Sequence, residues 1–208
     1  TVSVTGSDLK EGLTSQDLEE LTRISVVDGF TPNVSLKVRV SRGGTYEKNV
    51  SVSGKNAYYF RTTEDLLKRG RALNVVDEDN ASFVCWINQD MVDEFFFGVD
   101  PIDQSIYIDG VPFLVAGILS DSDSASIATM MGGSADILVP YTTALKMNNE
   151  NAVTSFTVYL ADGADSDAAA SRIEAVMDEM FSYEDDCFDI VTLSGVEDAM
   201  EEMLSMMT

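Results

Sequence analysis

Histidine is absent from the 208 residues. With it go Ser-His and Cys-His nucleophile activation, His-ligated zinc and the commonest general base near neutral pH. Only two cysteines are present, Cys85 in an apolar run and Cys187 in an acidic stretch, too few for a disulfide framework. A bridge between them stays open on sequence alone, beside the plainer reading of Cys85 as a small buried hydrophobe. Basic residues are scarce: 13 Lys and Arg stand against 36 Asp and Glu, a formal charge of −23 that repels nucleic-acid phosphates and anionic lipid headgroups alike. No nucleic-acid partner is expected. Long apolar runs are missing too. The longest, such as Phe83-Val84-Cys85-Trp86-Ile87 and residues 113–119 with their internal Gly117, fall far short of the ~20 residues a membrane helix needs. There is no Walker-type phosphate loop and no dinucleotide fingerprint, so the chain is not expected to hydrolyse ATP or to carry a cofactor.

What the sequence does have is 45% hydrophobic residues, enough over this length for one large core or two small ones. The opening Thr1-Val2-Ser3-Val4-Thr5 alternates like a strand and lacks the features of a leader, so any signal or anchor is expected to have been cut away. Thr14 and Asp17 form the ends of a capping box, which predicts a helix with Leu18, Leu21 and Ile24 facing a core and Leu13 stapled beneath. Val34, Leu36, Val38 and Val40 alternate with polar residues as a strand does, and Arg42-Gly43-Gly44-Thr45 turns it into a returning strand around Val50 and Val52.

The middle segment reads as a short helix over residues 62–68 stopped by Gly70, then an acidic loop at Asp77-Glu78-Asp79-Asn80. A buried strand at residues 83–87 follows, and Asn88 caps a helix carrying Met91, Val92, Phe95 and Phe96 up to Gly98. Asp109-Gly110 predicts a tight hairpin between strands at 105–108 and 111–119, because Gly tolerates positive φ. Residues 120–134 read as a surface loop, 137–139 as a strand, and Pro140 as the opening of a brief helix. Phe156, Val158 and Leu160 alternate, Ile173, Val176, Met177, Met180 and Phe181 keep helical spacing, and 190–193 is a strand. Ser194 and Glu197 cap a final helix whose Val196, Met200, Met203, Leu204 and Met207 line one face. The ends together therefore look like one discontinuous α+β domain, with the middle inserted into it.

Several motifs follow one another in the order found in a known family. They are Leu13-Thr14 with Asp17-Leu18-Glu19, Val52 and Gly54 before Tyr59-Phe60, and Gly70-Arg71-Ala72-Leu73 with Asp79 shortly after. Phe96-Phe97-Gly98, Asp100-Pro101-Ile102, Val115-Ala116-Gly117-Ile118-Leu119 and Asp136-Ile137-Leu138-Val139-Pro140 complete the series. In this order and spacing the chain resembles the periplasmic core domain of MacB-type ABC-transporter permeases, the macrolide-export and lipoprotein-release group. One departure is Asp103-Gln104, where relatives usually carry Gly-Lys after the Pro-Ile pair.

The resemblance implies a porter-like βαβ subdomain from residues 1–60 and 152–208, with a smaller α/β subdomain, residues 61–151, inserted. It also implies a location on the outer face of the bacterial cytoplasmic membrane, anchored by flanking transmembrane helices of its own permease. The implied partners are those helices, a cytoplasmic ABC ATPase subunit or domain, and a second permease copy. The implied role is transmitting conformational change and guiding an exported substrate.

Against this stand two other readings, a binding module that captures a cationic peptide or drug through the −23 field and an extracellular enzyme, which the missing motifs disfavour. The acidic groups at Asp77-Glu78-Asp79, Asp121 and Asp123, Asp162 to Asp167 and Glu184-Asp185-Asp186 do not match an EF-hand and read as solvated loops. The sequons at Asn33, Asn49 and Asn80 matter only in a eukaryotic secretory pathway. The sequence nominates no catalytic, metal or cofactor residue, and substrate-binding residues stay unknown.

Overall fold

A computed structural model of the chain describes residues 1–7, 10–120 and 135–192, without the side chain of Lys48. The chain divides into two compact units, Thr1–Thr31 with Ala152–Thr208, and Pro32–Asn151. The sequence reading broke the chain at 60/61 instead. The difference is the long hairpin of residues 34–55, whose strands find their other partners in the inserted unit.

In the discontinuous unit, β1 (Val2–Val4) lies between two strands from the far end of the sequence, β10 (Ser155–Leu160) and β11 (Phe188–Ile190). It is antiparallel to both, with Val2 opposite Phe156 on one side and Ile190 on the other. Strand β2 (Val27–Pro32) completes the order β11-β1-β10-β2. Thr1 and Val191 exchange two backbone hydrogen bonds of 2.8 Å, and Leu13 and Val153 exchange a second reciprocal pair. Helix α1 (Ser15–Thr22) starts at the expected box: Asp17 Oδ2 accepts from Thr14 N–H at 2.8 Å, and Asp17 N–H donates back to Thr14 Oγ1. It packs beside α6 (Ser166–Met180), whose N-terminus Asp165 caps through Asp167 and Ala168 N–H groups. Leu13, Leu18, Leu21, Phe156, Ile173, Met177 and Phe181 are buried here. The helix expected over residues 194–207 lies outside the described residues, as does nearly all of the 120–134 loop.

The inserted unit is built on a sheet that closes on itself. Strands β3 (Val34–Arg42), β4 (Thr45–Lys55), β5 (Leu67–Gly70), β6 (Val84–Ile87), β7 (Ser105–Ile108), β8 (Val111–Leu119) and β9 (Ile137–Pro140) run in the order β5-β8-β6-β9-β4-β3-β7. Because β7 also pairs with β8, six of them form a ring and β5 flanks it. Closure removes the open edges from these six, which would otherwise invite pairing with another chain, and leaves β5 as the edge strand. The β3–β4 hairpin carries a bulge between Val38 and Val40, where Asn49 adopts φ 62°. Fully buried cross-strand pairs, Val40 with Ile108, Ile106 with Phe113 and Ile87 with Ile137, mark the interior face. The hairpin turn is as expected, with Asp109 at φ 48° and Gly110 at φ 82°.

Two expectations fail in this unit. There is no helix over residues 62–68: Asn56 caps α2 (Ala57–Thr62) instead, and Leu67–Gly70 is strand β5. Gly70 is not a helix stop but a close approach, since a Cβ there would lie 2.3 Å from the Ala116 carbonyl oxygen. The acidic stretch at 77–80 is not a loop but belongs to helix α3 (Val75–Asp79), whose capping box joins Asn74 and Asp77. The remaining helices, α4 (Gln89–Phe96) capped by Asn88 and α5 (Tyr141–Met147) opened by Pro140, stand where the sequence places them.

Candidate functional site

A tightly built polar constellation lies in the inserted unit, where β5 hands over to α3. Gly70 lets β5 press onto β8, which sets the next residue, Arg71, over the edge of β6. Arg71 N–H donates to Ala116 O at 3.1 Å, and Arg71 O accepts from the buried Trp86 Nε1 at 2.6 Å. The guanidinium forks onto Asp77, Nη1 to Oδ2 at 2.6 Å and Nη2 to Oδ1 at 3.0 Å. Asp77 in turn closes the first turn of α3, accepting from Asn74 N–H at 3.2 Å and donating its own N–H to Asn74 Oδ1 at 3.0 Å. Burial alone would raise the Asp77 carboxyl, but the Arg71 fork and the Asn74 N–H outweigh it and hold the group below the usual carboxylate range. Beneath this knot Phe60, Leu73, Val84, Trp86, Ala116, Leu119 and Leu138 form one apolar cluster, with the Phe60 and Trp86 rings 4.7 Å apart. Gly117 sits against the indole: a Cβ there would lie 2.7 Å from Trp86 Cδ1.

Two ionisable side chains with shifted titration stand near it, Glu78 half-buried and Lys55 buried. Glu78 takes the Ala57 N–H, and its backbone carbonyl accepts from Thr142 Oγ1 at 2.7 Å, so α3 is tied to both α2 and α5. Burial first, and then the carboxylates of Asp79 and Asp77, push Glu78 up to about 7. Lys55, only 9% exposed, is pushed down to about 8 by burial, and its Nζ lies 4.9 Å from the Tyr59 ring centroid. The sequence names Glu78 only as part of a solvated acidic loop and does not single out Lys55, because burial of a charged residue leaves no local pattern to read.

These groups hold the fold in place. Among the described residues no three His, Cys, Asp or Glu side chains gather as metal ligands. Of the acidic groups named from the sequence, Asp121 and Asp123 lie outside the described residues, and the others gather no metal-ligand cluster. Asp77 and Glu78 work within the knot, Asp165 caps α6, and Glu184, Asp185 and Asp186 surround Cys187, whose thiol burial and those carboxylates push up. The carboxylate that Arg71 meets is Asp77. Both cysteines are free thiols, Cys85 in β6 of the inserted unit and Cys187 in the discontinuous one. At the Gly-Lys departure, Asp103 adopts φ 61°, a backbone state that glycine takes freely and that Asp tolerates better than most.

Comparison with known proteins places this architecture. Residues 1–176 match the model of the MacB-like periplasmic core domain. The macrolide export ATP-binding/permease protein MacB of Pectobacterium atrosepticum is 26% identical over 198 residues, which are 94% of this chain and 30% of that protein. The chain thus spans under a third of that relative. Among solved structures, the periplasmic region of MacB from Actinobacillus actinomycetemcomitans shares the fold with a TM-score of 0.76 at 21% identity, covering 96% of this chain and 91% of that one. The extracellular domain of the ABC-type transporter YknZ from Gram-positive bacteria does so at 0.74 and 13%, covering 92% and 98%. With the family model covering most of the sequence and both units accounted for in the solved folds, the chain belongs to the MacB-like periplasmic core domain family.

Proposed function

We propose that this chain is the extracytoplasmic part of an ABC-transporter permease, carrying conformational change between membrane helices and the outer space and guiding an exported substrate. The observation that carries the reading is the family match over residues 1–176. It is supported by a fold whose polar groups are spent on rigidity, which suits a body that relays displacement. On this reading ATP is hydrolysed by a separate cytoplasmic domain or subunit, and two permease copies pair outside the membrane. Each flank of the full reading frame then carries an apolar stretch of about 20 residues. Reconstituted with its ATPase, the full permease should lose coupling between hydrolysis and transport when this domain is deleted. Polar flanks, or unchanged transport without the domain, would overturn the proposal.

The charge of −23 favours one second reading, capture of a cationic peptide or drug by the field of the domain. Titration with cationic peptides at low and high salt tests it, and binding that ignores salt, or no binding, removes it.

A further inference from the structure

Phe97 ends α4 in the left-handed region at φ 48°, with its side chain 74% exposed, and Val99 is 53% exposed. Left-handed backbone costs a residue with a Cβ about 1–2 kcal/mol, and a ring left in water forgoes its burial. Folding therefore gives no reason for phenylalanine at this position. The turn is nonetheless held firmly. Arg42 Nη1 donates to Phe95 O at 3.1 Å and Nε to Ser105 O at 3.3 Å, with the guanidinium 4.3 Å from the Phe96 ring centroid. Val99 N–H donates to Phe96 O, Asp100 accepts from Arg69 at 2.8 Å and from Ile102 N–H at 3.1 Å, and Asp103 N–H reaches Val115 O at 3.0 Å. An aromatic side chain presented on a pre-ordered turn is the form binding hot spots take, because little entropy is left to lose on association.

The surroundings state the partner's charge. Asp93 and Glu94 stand in the last turn of α4, four and three residues before Phe97. Asp90 is one turn further back and Asp103 follows the turn; all four are exposed. The two arginines at this turn, Arg42 and Arg69, are already engaged. We infer that Phe97 and Val99 form a docking knob for a partner protein that offers an apolar pocket rimmed by lysine and arginine. The inference rests on the extracytoplasmic reading only for where that partner is met.

The test replaces Phe97 with the photo-crosslinker benzoylphenylalanine in the full-length protein in cells, with exposed Tyr46 as the control position. The expected result is an adduct from position 97, absent from position 46, to a polypeptide other than this chain. Its mapped segment should carry lysine or arginine around an apolar site. Asp93→Lys with Glu94→Lys should lower the adduct about tenfold, as charge reversal at an interface rim does. Phe97→Asn, which suits left-handed backbone, should leave the melting temperature of the 208-residue chain unchanged or higher. An adduct to a second copy or to lipid, no adduct, or indifference to the charge reversal overturns the proposal. So does a lower melting temperature in Phe97→Asn, which would give the ring a structural role. Polar flanks to the gene would sink the transporter reading and leave these outcomes standing.

Discussion

Arg71 and Asp77 invite removal one at a time, because their contributions differ. Asp77 serves both the fork with Arg71 and the cap of α3, whereas the Arg71 side chain, about half exposed, adds to the fork only a bond to Ala72 O at 3.2 Å and a distant contact with the Trp86 ring. Asp77→Ala should therefore cost about 2–3 kcal/mol and Arg71→Met about 1 kcal/mol in chemical denaturation. Equal losses would show that the cap contributes nothing. Glu78 makes a pH prediction. Its ordinary value is 4.5 and its folded value about 7, so the native state holds the proton more tightly than the unfolded chain. Stability from this group is present below pH 4.5, falls as pH rises to about 7 and stays lost above. Glu78→Gln keeps an acceptor for the Ala57 N–H and should gain about 1–2 kcal/mol at pH 8, the full shift being discounted for partial exposure. A variant no more stable than the parent at pH 8 would contradict it. Lys55 works in the other direction: with its value lowered from 10.5 to about 8, its cost is greatest at neutral pH and fades as pH rises from 8 to 10.5.

At the scale of elements, the β7–β8 hairpin is the most exposed to a single change. Gly110 at φ 82° has open space where a Cβ would go, so Gly110→Val is opposed by backbone conformation alone and should lower stability by about 1–2 kcal/mol. An unaltered melting temperature would mean that the turn relaxes without cost. Elements with a strong local signal could be read from sequence: the Thr14 box, the Asn88 cap, the Asp109-Gly110 turn and the alternation of Val34 to Val40 each specify a conformation within a few residues. β5 could not. Leu67-Lys68-Arg69-Gly70 has neither alternation nor β-branching, and it is a strand because β8 offers it an edge far along the chain. A glycine needed for close approach looks, in sequence, like a glycine that ends a helix. The same limit moved the domain boundary, since nothing local to β4 announces its parallel pairing with β9. The Arg71–Asp77 fork was not legible, because residues 77–80 read as a solvated loop and nothing local shows that Asn74 begins a helix.

For the whole molecule the dominant quantity is the charge of −23. With few cations to offset 36 acids, the folded state gathers repulsion that the expanded chain spreads out. Raising NaCl from about 10 mM to about 0.5 M shortens the screening length from ~30 Å to a few Å, so the melting temperature should climb with salt. A flat or falling curve would show that the acids are neutralised locally.

The reciprocal bonds of Thr1 with Val191, beside the antiparallel β1–β11 ladder, have a mechanical corollary. Whatever is attached at these two points leaves the unit side by side. Loads drawing both attachments the same way are shared by the whole ladder, whereas prying them apart peels it open bond by bond, like a zip fastener started from its end. Relative separation of the two attachments is then resisted feebly, and joint displacement stiffly.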